Sequence, residues 1–439
     1  MCWEPEYIIL ISASTLVSYI AALKIYEQKY KLKKQLFLAG ALIINLAIFF
    51  VFKYFDFANA ALKAVFETVH LPYTIPGLNL ILPVGISFYT FQVASYVIDV
   101  YRGDKKPEKH YGIFALYVAF FPQLVAGPIE RSTRLLPQFY QKHRFDINNL
   151  KTGLLLMAWG FFKKLVIADR LAIYVNTAYS NPSEHAPIVL LIATFFFTIQ
   201  IYCDFSGYSH IAIGAAKVLG FDLMKNFNLP FFAPTIGLFW KRWHISLSSW
   251  LRDYLYVPLG GSRTGKAKTY RNLIIVFVLC GLWHGAAWTF VIFGLLHGIM
   301  VIASRITLPY RDKLWKLLNI PYQLVLFFRT INTFIIFCLS LIVFRSNTLS
   351  DAVFIAQKIF CCFSFSGKKI VGFNRYEFFV SLFVITILFC VQLIQRRYSL
   401  KQFTCSTPLP VRWAFYYGLL FSILVLGEFN QTPFIYFRF

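Results

Sequence analysis

Residues 280–288 read CGLWHGAAW, inside a stretch from Leu273 to Ser304 that contains no Asp, Glu, Lys or Arg. An ionisable side chain at membrane depth is costly and marks a functional site by default. A neutral imidazole in such a place is the form a general base needs to take a proton from a hydroxyl. The other reading of His284 is a histidine hydrogen-bonded between helices, and depth alone does not separate the two. Gly281 and Gly285 flank it, and small residues permit close backbone approach or a break in the helix. His297 follows on another helical face, so the two histidines need not meet. No His-x3-His or histidine–carboxylate pair falls at ligand spacing, so no metal site is expected.

A second group of chemistry-bearing residues lies in FWKRWHISLSSWLRDYLYVPLGGSR, Phe239–Arg263. Trp240, Trp243, Leu247, Trp250 and Tyr254 recur at three- and four-residue spacing and would form one helical stripe. Lys241, His244, Ser248 and Arg252 would form a polar stripe. Such a helix either lies in the interface plane as an anchor or turns its polar stripe toward a cavity and a charged donor. Downstream, GGSRTGK (260–266) nearly matches a phosphate loop, but Ala267 stands where a magnesium-holding Ser or Thr belongs, so nucleotide hydrolysis is not read there. In QIYCDFSGYSHIAIG (200–214), Asp204 would orient a histidine or, more simply, cap the next helix. No Gly-x-Ser-x-Gly elbow points to a serine nucleophile.

These residues need elements to carry them. The chain has 439 residues, 58% hydrophobic and 14% charged, with aromatics at 19%. Soluble domains carry about 25% charged residues. The apolar runs are apolar all round and of membrane-spanning length, so the expected fold is all-α: a polytopic membrane protein of roughly ten segments, some re-entrant or broken, around a central cavity. The net charge of +24 resides mostly in loops, where it sets orientation rather than binding nucleic acid. Membrane lipid is therefore an expected partner and nucleic acid is not. Eight scattered cysteines, with only Cys361 and Cys362 adjacent, indicate neither zinc nor disulfides.

Spans are expected at about Tyr7–Ile25, Leu36–Phe52, Leu80–Tyr101, Thr152–Val175, Ile188–Asp204, Tyr322–Phe344, Phe378–Ile394 and Trp413–Leu426. The acidic MCWEPEY start lacks the basic region of a cleavable signal and, with the basic loop Lys29–Lys34, places the N-terminus outside. Asp56–Asn79 reads as an external loop, and Phe205–Arg271 as mostly cytoplasmic. Phe114–Gly127 and Asn272–Ser304 have basic residues at both ends, which suggests a re-entrant element and a hairpin or broken helix entered from the cytoplasmic side. One membrane domain covers 1–439, with core motifs at about 80–345 and additional C-terminal spans in 346–439.

The motifs FWKRWHISLSSWLRDYLYVPLGG and GLWHGAAWTFVIFGLLHG resemble the membrane-bound O-acyltransferase family. LPVGISFYTFQVASYVIDVYRG, FFPQLVAGPIERSTRLLPQF and YCDFSGYSHIAIGAAKVLGF look like its bacterial alginate O-acetylating branch. The likeness runs from about Trp3 to Arg345. It implies acyl transfer from a thioester to a hydroxyl, with His284 catalytic and His244 assisting or shaping the donor side. It further implies an extracytoplasmic, esterase-like partner that completes acetylation of an exported polysaccharide. Relatives usually carry another hydrophobic segment before the position of Trp3, and Asp where this chain has His210.

The expectation is an O-acetyltransferase of the bacterial cytoplasmic (inner) membrane, with no bound cofactor and acetyl-CoA as donor substrate. The donor would approach Lys241, Arg242, Trp243, Ser248 and Arg252, with Asp204 and Trp283 completing the substrate side. D-alanyl transfer to teichoic acid from a carrier protein, a transporter and a non-catalytic scaffold are the alternatives.

Overall fold

The computed structural model describes residues 5–125, 127–361, 370–398, 402, 407–429 and 433–435. Residues 1–4 of the acidic start and Cys362 lie outside the described residues. Among the described residues every regular element is helical. Among the described residues, seven helices are long and apolar enough to cross a membrane, against the roughly ten segments expected.

The first layer packs α1 (Tyr7–Glu27), α2 (Lys31–Lys53) and α4 (Ile86–Arg102) together. Hydrogen bonds fix which ends meet. At one end, the Tyr7 hydroxyl donates to Ile81 O, and Lys53 Nζ to Ser87 Oγ. At the other, the Tyr19 hydroxyl donates to Lys109 O, and Arg102 to Asp253 O. The second end collects Lys29, Lys31, Lys33, Lys34, Arg102, Lys105, Lys106 and Lys109. By the positive-inside rule it faces the cytoplasm.

Two expectations change here. The third span begins at Ile86 rather than Leu80, because Leu71–Pro83 has no regular structure. The expected loop Asp56–Asn79 contains α3 (Phe55–Thr68), an amphipathic helix that buries no residue. Residues Phe114–Gly127 do re-enter. α5 (Tyr111–Val118) leads from the basic end to a turn at Leu124–Val125, which touches Gly85 at the opposite end. Gly85 has φ 83°, and a Cβ there would sit 2.5 Å from Leu124 O. Only glycine serves that crossing.

The second layer is a long rod paired with α10 (Pro187–Val218). The rod comprises α8 (Ile147–Phe161), a π-helical turn Phe162–Ala168 and α9 (Asp169–Ser180). Gly153 faces Gly214 and Gly160 faces Gly207, each so close that a Cβ would lie 2.6–2.9 Å from the partner's carbonyl oxygen. Without a hydrophobic drive between helices in lipid, such small-residue contact supplies the packing. The π turn carries Lys163 and Lys164 into this interface. Lys164 Nζ pairs with Asp169 (2.8 Å) and Asp204 (2.7 Å). Lys163 donates to Ser206 Oγ at 2.8 Å. Asp204 is therefore mid-helix and ion-paired, not a helix cap, because α10 continues 14 residues past the expected end.

The third layer holds α13 (Lys266–His284), α14 (Trp288–Leu317), α15 (Tyr322–Arg345), α16 (Leu349–Cys361), α17 (Arg375–Gln395) and α18 (Leu409–Leu426). The last three expected spans coincide with α15, α17 and α18.

Candidate active site

The expected hairpin is present and breaks beside the histidine. α13 ends at His284, three residues turn, and α14 starts at Trp288. The arms touch through glycines: a Cβ on Gly281 would lie 2.1 Å from Phe290 O, and one on Gly294 would lie 2.3 Å from Phe277 O. The end of a helix leaves carbonyls to be satisfied. Here Lys53 Nζ donates to Trp283 O (2.6 Å) and His284 O (3.4 Å), and the Tyr54 hydroxyl donates to Leu282 O (3.0 Å). A cation suits the negative end of the helix dipole. Lys53, invisible as a site residue in the sequence, thus anchors the end that presents His284.

His284 is 4% exposed and packs against Trp283, Phe293 and Phe344, with the Phe344 ring 5.3 Å away. It borders a cleft of about 40 Å³ with Lys53, Pro83, Gly85, Ser87 and Val125. A water needs about 10–15 Å³ on this measure, so the cleft matches a few waters or a small acyl group. Its lining belongs to the end away from the basic loops. The basic flanks mark where the hairpin starts, and the small cleft lies at its tip, at the opposite end.

The Trp-rich segment is not one helix. α11 (Ile236–Arg242) stops, His244 takes φ 45°, and α12 (Ile245–Leu251) follows, passing into a π turn at Arg252–Tyr256. A positive φ is uncommon for a non-glycine residue and is held by its surroundings. His244 caps α12: its Nδ1 accepts from Leu247 N at 3.3 Å. The break buries Trp240, Trp243, His244 and Leu247 instead of laying them in the interface. The His244 ring meets Phe205 at 4.5 Å and Trp283 at 5.5 Å, and Trp283 lies between the two histidines. Burial, and after it the charge of His284, lowers the His244 pKa well below its ordinary value.

Behind His244 runs a polar relay. Asn226 Oδ1 accepts from Ser246 Oγ (2.9 Å), and Asn226 Nδ2 donates to Ser209 Oγ (3.1 Å). Asn226 and Ser209 line a cavity of about 420 Å³ with His210, Lys217, Lys225 and Arg397. This cavity sits at the basic end of α10.

The remaining expected residues are dispersed. Trp243 is in the aromatic core, its ring 5.5 Å from Phe239, and the Ser248 hydroxyl donates to Trp243 O. Lys241 is exposed, Arg242 donates to Phe232 O, and exposed Arg252 pairs with Asp253. None of Lys241, Arg242, Trp243, Ser248, Arg252 or Asp204 lines either cavity. His297 is a structural histidine: Trp240 Nε1 donates to its Nδ1 (3.2 Å), and its Nε2 bonds Ser340 Oγ (3.0 Å). Among the described residues no three His, Cys, Asp or Glu side chains gather as metal ligands.

Fold and site together define a polytopic helical membrane enzyme. The sequence narrows the class: residues 109–347 match the MBOAT model, and the chain belongs to the membrane-bound O-acyltransferase family. It is similar to a Peptidoglycan O-acetyltransferase of Helicobacter pylori, 38% identical over 333 residues, covering 69% of this chain and 62% of that protein. It is similar to a protein named Probable alginate O-acetylase from Pseudomonas putida, 35% identical over 468 residues, covering 100% of this chain and 91% of that protein. A Teichoic acid D-alanyltransferase of Bacillus subtilis is 30% identical over 237 residues, covering 52% of this chain and 60% of that protein.

Proposed function

We propose that this acyltransferase moves an acetyl group from acetyl-CoA toward hydroxyls of an exported cell-envelope polysaccharide, with His284 as general base. The observation that carries the reading is the placement of His284: at the tip of a broken hairpin, between a small cleft on one side and His244 with its polar cavity on the other. Acetyl-CoA enters at the basic end, where Lys217, Lys225 and Arg397 suit its phosphates. His244 and Asn226 stand along the path from that cavity toward Trp283 and His284.

On the opposite side, His284 takes the proton of the acceptor hydroxyl as its oxygen attacks the thioester carbonyl. Lys53, in the same cleft, is the cation at hand for the developing oxyanion. The thiolate of CoA leaves and takes up a proton, and the hydroxyl becomes an ester. A cleft of about 40 Å³ favours a slender hydroxyl over a sugar ring. That supports a relay through an extracytoplasmic, esterase-like partner, which then acetylates the glycan. The setting is the bacterial inner membrane.

Acetyl transfer is preferred over D-alanyl transfer because the O-acetylating relatives match with higher identity and over more of the chain. The test supplies membranes containing the protein with acetyl-CoA labelled in the acetyl group. Label on polysaccharide, or on a partner's hydroxyl, is the expected result. Label that stays on CoA, while a D-alanyl carrier protein donates instead, would overturn the acetyl assignment.

A further inference from the structure

A cleft of about 470 Å³ opens on the outer flank of the third layer, distinct from the two cavities above. Its walls run from Gln323 to Phe334 on α15 and from Phe389 to Arg396 at the end of α17, and Phe231 and Phe232 form its floor. The eleven residue steps from Gln323 to Phe334 rise about 16 Å at ~1.5 Å each. That is close to half of a ~30 Å hydrocarbon layer, the depth of one leaflet. α15 starts and α17 ends at the basic side, so the cleft faces the leaflet on that side.

The lining is apolar except at the mouth and at Thr330, whose hydroxyl donates to Leu326 O. At the mouth the Arg396 guanidinium stands 5.4 Å from the Phe232 ring centre, and Arg242 donates to Phe232 O at 3.2 Å. Burial, and then the charge of Arg396, lowers the Arg242 pKa below its ordinary value. Arg396 lines the mouth, and Arg242, outside the lining, reaches the same residue, Phe232, so two cations flank it. Among the described residues no salt bridge engages either. Between Glu377 and Glu428 the sequence has no acidic residue, but it has Arg396, Arg397, Lys401 and Arg412.

We propose that this cleft binds one anionic glycerophospholipid from the basic-side leaflet. An acyl chain lies along Leu326, Ile331 and Phe389, and the phosphate sits between Arg396 and Arg242. Juxtamembrane Lys and Arg residues favour anionic headgroups by about 1 kcal/mol each, and an apolar groove one leaflet deep selects a lipid tail over a soluble anion. The site adjoins the donor cavity, since Leu229 and Arg397 line that cavity while Phe231 and Arg396 line this one. A bound lipid braces the wall between them.

The test reconstitutes the full chain in nanodiscs holding equal palmitoyl-oleoyl phosphatidylglycerol and phosphatidylcholine, then counts retained lipid by native mass spectrometry. The wild type is expected to retain one phosphatidylglycerol. Arg396→Gln should lower retention about fivefold, the factor that ~1 kcal/mol corresponds to. Arg375→Gln, at the far end of α17, should leave it unchanged, and Ile331→Trp, which fills the groove without altering charge, should lower it. Equal retention in wild type and R396Q, or retention of phosphatidylcholine as strong as phosphatidylglycerol, would overturn the proposal.

Discussion

Two histidines occupy the two arms of the α13–α14 hairpin, and their surroundings assign them different work. His297 lies within α14, with both ring nitrogens occupied by Trp240 and Ser340. It ties α11 and α15 to the hairpin. His284 ends α13, where the backbone is capped from another helix by Lys53 and where a cleft begins. Both are buried in aromatic surroundings, so burial does not distinguish them. What does is position along the hairpin: a mid-helix histidine is fixed by its neighbours, while one at a helix end can face an incoming group.

The contrast presupposes a scaffold, and the harshest way to break it is to remove that support. Lys164→Ala leaves Asp169 and Asp204 buried without their shared cation. Breaking a buried pair in this way costs about 3–5 kcal/mol. Loss of protein from the membrane fraction is expected, and normal accumulation would show that the cluster is not structural. Gly281→Val is next. Its side chain would start 2.1 Å from Phe290 O, and overpacking of this kind costs about 1–3 kcal/mol or more. It should separate the arms, lower the detergent melting temperature and abolish transfer. A variant with wild-type melting and activity would mean the arms are not held by that contact.

His297→Leu sharpens the comparison. It strands Trp240 Nε1, at about 1–3 kcal/mol, while the Ser340 hydroxyl keeps its bond to Phe337 O. Melting should fall while transfer per folded molecule stays within a few-fold. The smallest effect concerns a control site outside the hairpin, Glu130, which accepts from Met224 N. Burial, first among the causes, raises the Glu130 pKa from 4.5 to about 7, with Asp222 adding and the Met224 amide and Arg134 opposing. The folded state therefore holds this proton more tightly than the unfolded chain. The stabilisation is complete below about pH 4.5 and is lost as pH rises through about 7. Between about pH 5 and pH 7 the wild type should lose about 1.4 kcal/mol per pH unit at most, and Glu130→Gln should flatten that slope. An unchanged slope in the variant would assign the pH dependence elsewhere.

The hairpin and its break were legible in the sequence, because glycines flank His284 and basic residues bracket the charge-free run. The re-entrant Phe114–Gly127 was legible for the same reason. The break at His244 was not. Three- and four-residue spacing continues across it, and nothing in RWHIS announces a left-handed residue. Asp204 read as a cap because its partner Lys164 is 40 positions away, on a π turn that shifts the register of the rod. Lys53 was hidden for a related reason: it looks like the basic end of a span, and its partner Trp283 is 230 residues distant. Long-range partners of this kind are set by packing, and local periodicity carries no trace of them.

The central claim is that His284 does chemistry and His297 does not. The direct measurement is acetyl transfer from labelled acetyl-CoA by membranes bearing His284→Gln or His297→Gln, each normalised to folded protein. His284→Gln should lose about 10²–10⁴-fold, the range for a general base, with unchanged accumulation, and His297→Gln should retain activity within a few-fold. Comparable losses in both variants, or transfer retained without His284, would contradict the account.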